Sequence, residues 1–156
     1  VYSWGCNKYG QVGNGSYDQV VTPTLINMPT LKDDVDRKRV VDIACGSYHS
    51  VALTESGEVY AWGVNDYRIQ EKSSDITMDQ ATLNTPKQVT TIFNRKKIVY
   101  ISCGTTFTMA VTENGEVYSW GENNVGQLGI GNYENQTMPM EISSLKGTVI
   151  VKVACG

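Results

Sequence analysis

The sequence predicts an all-β protein, a β-propeller of four-stranded antiparallel blades of which about three, not all complete, lie in one unit over residues 1–156. Three observations carry this expectation. The pentapeptide Val-Tyr-Ser/Ala-Trp-Gly occurs three times, and Trp4, Trp62 and Trp120 follow one another at 58 residues each time. A period of that length exceeds one helix or hairpin, so it marks a supersecondary unit that buries its apolar faces against copies of itself. The apolar stretches within the unit are short, β-branched and bounded by Gly, Asn and Pro, and none has a helical period. A solenoid of β-coils fits less well, since its repeats are shorter and its strands parallel.

The elements of the unit follow in order. Residues 40–46 (VVDIACG) alternate and end on glycine, the first strand, and residues 49–54 (HSVALT) are the second. Residues 55–58 (ESGE) supply a tight turn, and residues 59–63 (VYAWG) return antiparallel. The next copy of the turn reads Glu113-Asn-Gly-Glu, and Asn114-Gly115 suits a hairpin whose central positions take positive φ. Eight of the ten residues in 54–63 recur in 112–121. After the tryptophan strand come Asn7, Asn65 and Asn123, followed in two copies by a glycine-rich loop in which Gly10, Gly13 and Gly15 match Gly126, Gly129 and Gly131. No Lys-Ser/Thr ending and no helical pattern follow, so the glycines read as sharp turns that pack closely between units and not as a phosphate cradle. A short fourth strand is expected after each of Pro23, Pro86 and Pro139. Repeat cores then lie near residues 1–46, 47–104 and 105–156.

Composition excludes several function classes. A formal charge of −3 gives no general attraction to nucleic acid or an anionic membrane, and there is no long apolar run or signal pattern. Cys45, Cys103 and Cys155 recur at equivalent places without the paired short spacing of a zinc site. They are expected to be small buried hydrophobes in separate unit cores, and unpaired thiols point to an intracellular compartment, cytoplasmic or nuclear. His49, whose counterpart is Phe107, reads as a packing or hydrogen-bonding residue. Trp4, Trp62 and Trp120, with Tyr2, Tyr60 and Tyr118, read as blade-core anchors. No paired carboxylate, triad or metal-ligand pattern is present, so no catalytic residue, metal or cofactor is expected and enzymatic activity is not.

Residues 117–129 (VYSWGENNVGQLG), the strands that follow the prolines and residues 40–54 (VVDIACGSYHSVALT) together resemble the regulator of chromosome condensation repeat, over essentially the whole chain. The resemblance implies seven such repeats closing into a ring, with the remaining blades expected elsewhere in a parent chain. It also implies protein partners, a Ran-like small GTPase among them, since members include exchange factors for that GTPase and propellers attached to ubiquitin-ligase, BTB or kinase modules. The wedge on which exchange depends has no residue-by-residue match here.

In a repeat protein the recurring positions are mostly scaffold, so positions that break the pattern are the candidates for function. The middle repeat replaces its glycines with Arg68, Glu71 and Ser73 in a longer polar loop, which nominates Asp66, Tyr67, Arg68, Glu71 and Lys72 as a partner contact; drift in a solvated loop is the alternative. The mixed-charge stretch before residue 40 nominates Lys32, Asp33, Asp34, Asp36 and Arg37, although its balanced charge also suits a solvated face. Arg95-Lys-Lys reads as a solvated turn. Nucleic-acid or chromatin contact is not expected from this segment. The leading expectation is an intracellular protein-interaction scaffold; nucleotide exchange on a Ran-like GTPase and a recognition or regulatory propeller of a ubiquitin ligase or kinase are the alternatives.

Overall fold

The structure is a computed structural model and describes residues 1–29, 39–64, 82–89, 93 and 96–156. Ten strands occur among them. The first sheet pairs β1 (Tyr2–Gly5) with β2 (Val20–Leu25). The second runs in sequence order through β3 (Val40–Cys45), β4 (His49–Thr54), β5 (Val59–Val64) and β6 (Thr82–Gln88). The third repeats that order with β7 (Ile98–Cys103), β8 (Phe107–Thr112), β9 (Val117–Gly121) and β10 (Gln136–Glu141). All pairings are antiparallel. The described residues include no α-helix, only a 3-10 turn at Ser143–Leu145. These are the expected four-stranded blades, two of them entire.

The strand that follows each proline begins earlier than the sequence suggests, so that Pro23, Pro86 and Pro139 lie inside β2, β6 and β10. Each of these is the last strand of its sheet, where a missing N–H breaks no ladder on the outer side. Each is also bulged at the same place. The step from Ala61 to Gly63 faces the longer step from Leu83 to Lys87, and Ser3–Gly5 and Ser119–Gly121 face equally long steps. The extra residues sit opposite the tryptophan, and the proline falls within them.

Stacked sheets explain the burial. The whole of β4 is buried, because it is an inner member of its sheet with another layer on each face. Its Val51 and Leu53 pack across to Ile98, Ile101 and Tyr118 of the next blade, and β7 lies against β3 and β4. On its other face Ala52, Tyr60 and Trp62 meet Met28 from the first unit. Burying each such large side chain contributes roughly 1.5–3 kcal/mol, so the joints between blades are a main source of stability. Two hydrogen bonds recur at the joints. Gly57 O accepts from Ile98 N at 3.3 Å, and Gly115 O accepts from Ile150 N at 3.0 Å, clipping each hairpin turn to the start of the following inner segment.

The cysteine expectation needs correction. All four thiols are free, but Cys45 is exposed and Cys103 and Cys155 are only half-buried. They stand at or beyond the end of the inner strands, where the alternating face of β3 has no sheet over it. Nor do they occupy separate cores. Burial pushes the Cys103 thiol up to about 12 against the bond from Thr108, and the neighbouring Cys45 and Cys155 add to the rise. Burial likewise raises Cys155. A thiol so raised is a poor nucleophile.

Candidate partner-binding face

The antiparallel order sends all connections to two opposite ends. One end carries the hairpin turns at residues 55–58 and 113–116; the other carries the short turns at 46–48 and 104–106 and the long loops after β1 and β9.

A buried asparagine organises each described long loop. Asn7 Oδ1 accepts from Val12 N at 3.0 Å, and its Nδ2 donates to Ser16 O at 2.9 Å and Asp18 O at 3.0 Å. Asn123 repeats this with Leu128 N at 3.0 Å, Asn132 O at 2.9 Å and Glu134 O at 3.1 Å. The amide thus satisfies three main-chain groups and fixes the loop without regular structure. Gly13, at φ 83, is required by a close approach: a Cβ there would lie 2.6 Å from Trp62 Nε1. That indole donates to Gln11 O at 2.9 Å, and Ser50 Oγ donates to the same oxygen at 2.8 Å. The glycine-rich loop is therefore scaffold that joins one blade to the next, as expected. Trp62 and Trp120 are buried anchors, whereas Trp4 is 59% exposed in the two-stranded sheet.

Three residues at this end differ from the third repeat, and Lys8 and Tyr48 match no other copy, whereas Tyr9 recurs in sequence as Tyr67. Lys8, Tyr9 and Tyr48 stand where the third repeat has Asn124, Val125 and Thr106. Tyr9 and Tyr48 meet edge to face with centroids 5.3 Å apart, and Lys8 Nζ lies 5.3 Å from the Tyr9 ring centre. Lys8 is exposed and both tyrosines are half-buried, so an amphipathic surface sits on two rigid turns. Sequence reasoning missed this cluster because Tyr9 and Tyr48 belong to different repeats and meet only across a joint. Comparing each repeat position in turn singles out Lys8 and Tyr48 but not Tyr9, whose position holds Tyr67 in the middle repeat. The third repeat carries a polar group instead: Thr106 Oγ1 donates to Glu122 Oε2 at 2.5 Å, and Asn124 Nδ2 donates to Glu122 Oε1 at 2.7 Å.

The nominated residues Asp66, Tyr67, Arg68, Glu71 and Lys72, and Lys32, Asp33, Asp34, Asp36 and Arg37, lie outside the described residues. At the hairpin end Lys96 is not simply solvated. Its Nζ donates to Glu116 Oε1 at 2.7 Å and to Tyr118 Oη at 3.2 Å, bonds that hold its pKa above the usual lysine range and that of Glu116 below the usual carboxylate range. Both partners are partly exposed, so the pair contributes less than about 1 kcal/mol. His49, 4% exposed, bonds through Nε2 to Thr108 Oγ1 of the next blade at 2.8 Å, a structural role as expected. Among the described residues no group of His, Cys, Asp and Glu can hold a metal ion, and no helix is long and apolar enough to cross a membrane. A cleft of about 250 Å³ lies between the 113–116 turn and residues 145–149, with Glu116, Glu141 and Lys146 among its lining residues.

The comparisons with known proteins agree with this geometry. The sequence model of the regulator of chromosome condensation (RCC1) repeat matches residues 1–53, 56–111 and 114–156, and a second model of the same repeat matches residues 40–68 and 98–127. The chain belongs to this repeat family. It is 39% identical to the human E3 ubiquitin-protein ligase HERC2 over 156 residues, all of this chain and 3% of the ligase. It is 31% identical to the ultraviolet-B receptor UVR8 of Arabidopsis thaliana, again over all of this chain and 33% of the receptor. The chain therefore spans a small part of the one and about a third of the other. Its fold superposes on Prp20p of Saccharomyces cerevisiae, a protein studied for binding to Gsp1p and histones. The TM-score is 0.80 at 24% identity, over 98% of this chain and 36% of Prp20p, and the propeller architecture is shared.

Proposed function

We propose that this chain is a protein-interaction scaffold and not an enzyme, and that it engages its partner through the long-loop end of the blades. The observation that carries this reading is the Lys8–Tyr9–Tyr48 cluster. Its Lys8 and Tyr48 depart from the repeat, Lys8 is exposed and the tyrosines half-buried, and the asparagine-organised loop and the β3–β4 turn support it. Aromatic side chains with a cation over one ring face supply large contact area at low ordering cost. Free thiols favour an intracellular setting, cytoplasmic or nuclear. Residues 66–72, which follow β5 in sequence and break the repeat, are assigned the second contact.

Replacing the cluster with the residues of the third repeat (Lys8→Asn, Tyr9→Val, Tyr48→Thr) tests the reading. Affinity enrichment from cell extract, compared between wild type and this variant, is expected to lose at least one specific partner while the thermal midpoint is unchanged. An identical set of partners removes the cluster from the interface. Replacing residues 66–73 by residues 124–131 tests the second contact in the same way.

The identity with HERC2 favours one finer reading, a recognition propeller within a larger ubiquitin ligase. It requires the enriched partner to be ubiquitinated by the intact parent protein in a manner that the triple variant abolishes. Nucleotide exchange on a small GTPase is the remaining reading. Acceleration of nucleotide release across a GTPase panel would establish it, and no acceleration would dismiss it.

A further inference from the structure

The Lys8–Tyr9–Tyr48 cluster holds hydrogen-bond donors that the chain itself does not engage. Among the described residues no carboxylate pairs with the Lys8 ammonium, which stands 5.3 Å from the centre of the Tyr9 ring. Neither the Tyr9 nor the Tyr48 hydroxyl bonds another described residue, whereas Tyr17 Oη, on the same loop as Tyr9, meets Thr82 Oγ1 at 3.1 Å. Blade packing does not demand these groups. The place of Lys8 is taken by Asp66 in the middle repeat and by Asn124 in the third, and the place of Tyr48 by Thr106. The cluster is thus one ammonium and two phenols on a frame that accepts other residues.

Charge at this end narrows the occupant. Lys8 is the only cation among the described residues of the long loops and short turns, which also carry Asp18, Glu122 and Glu134. Of these, Glu122 is engaged by Thr106 and Asn124. A basic side chain would meet Lys8 as a like charge. A phosphate carries close to two charges, calls for an arginine fork or several cations, and would share this end with three carboxylates. A side-chain carboxylate carries one charge, which one ammonium balances, and its oxygens also accept from a phenol hydroxyl. The two tyrosine rings, edge to face at 5.3 Å, give apolar area beside that charge.

We propose that the segment bound by this cluster is an acidic peptide in which an Asp or Glu stands next to an apolar residue. Its carboxylate pairs with Lys8 Nζ and accepts from a tyrosine hydroxyl, and its apolar neighbour lies against the Tyr9 and Tyr48 rings. The inference rests on the reading of the cluster as a partner face and adds to it the chemistry of the partner. Because Lys8 is exposed, its ion pair is screened by salt and sets selectivity more than affinity, while the aromatic contact supplies the larger share of the binding.

Short random peptides displayed on phage, selected on the full-length protein and counter-selected on its Lys8→Asn, Tyr9→Val, Tyr48→Thr variant, test this. The surviving sequences are expected to share an Asp or Glu beside an apolar residue. In titrations of a synthetic survivor, replacing its acidic residue by the amide is expected to weaken binding about fivefold, and Lys8→Met in the protein should do the same. Lys8→Met keeps the apolar stem over Tyr9, so a role in packing alone would leave the affinity unchanged. With the amide peptide, Lys8→Met is expected to have no further effect. Survivors that lack an acidic residue, or an amide peptide that binds equally well, overturn the carboxylate and leave the cluster as a partner face. A phosphoserine version that binds more tightly than the acidic peptide overturns it as well and assigns the site to phosphate. If no peptide distinguishes the wild type from the triple variant, the reading on which the inference rests falls with it.

Discussion

His49 shows how one side chain ties stability to pH. Burial lowers its imidazole from the ordinary 6.5 to about 4. The unfolded chain takes up a proton as pH falls through about 6.5, while the folded protein resists it down to about 4. Stability is therefore greatest at neutral pH and is lost between those values, by on the order of 3 kcal/mol. Denaturant melts from about pH 7.5 to about pH 4.5 are expected to show the loss, and His49→Phe, which installs the residue at position 107 of the next repeat, should flatten it. An unchanged profile in that variant would contradict the assignment. The buried asparagines make a second case. Asn123→Ala strips partners from three main-chain groups and is expected to cost about 2–3 kcal/mol, measured by chemical denaturation. The role of these asparagines was invisible in sequence, where an Asn after Trp-Gly reads as one more turn residue. Only the structure shows one amide closing a loop of more than ten residues.

At the scale of elements, the hairpin turns do more than reverse the chain. A Cβ on Gly57 would lie 2.4 Å from Lys97 Cγ and 2.9 Å from Ile98 N, at φ 86, because the turn seats against the next inner strand. Gly57→Ala is expected to destabilise by about 2 kcal/mol or more, through both the left-handed backbone and the lost joint. Gly131→Ala shares the positive φ but meets nothing, and is expected to cost no more than about 1 kcal/mol. A pair of equal costs would show that backbone strain alone, and not blade contact, governs these positions. The hairpins were legible, since Asn114-Gly115 and the tyrosine–tryptophan strand speak for themselves. The outer strands were misjudged at their starts, because proline reads as a boundary in sequence. Here it rides within a bulge on the last strand of each sheet, a context that sheet order alone reveals.

On the scale of the molecule, the 58-residue step was enough to give the blade, its four strands and the family. It gave no account of how blades join, since the indole-to-Gln11 bond and the Tyr9–Tyr48 contact link residues 51 and 39 positions apart. The cysteines were misplaced for a related reason. Equivalent positions in stacked units were expected to point into separate cores, but at the ends of adjacent inner strands they become neighbours. The same stacking separates the roles of the residues. Recurring residues such as Trp62 and Gly13 hold the joints, as does His49 although it differs from Phe107, while Lys8 and Tyr48 differ and stand on the long-loop end.

That separation is the central claim, and isothermal titration of an enriched partner against the wild type and the Lys8→Asn, Tyr9→Val, Tyr48→Thr variant tests it most directly, with denaturant melts of the same samples. Binding is expected to be at least about tenfold weaker in the variant, with the unfolding midpoint unchanged. Equal affinity, or weaker binding that appears only with a loss of stability, would contradict it.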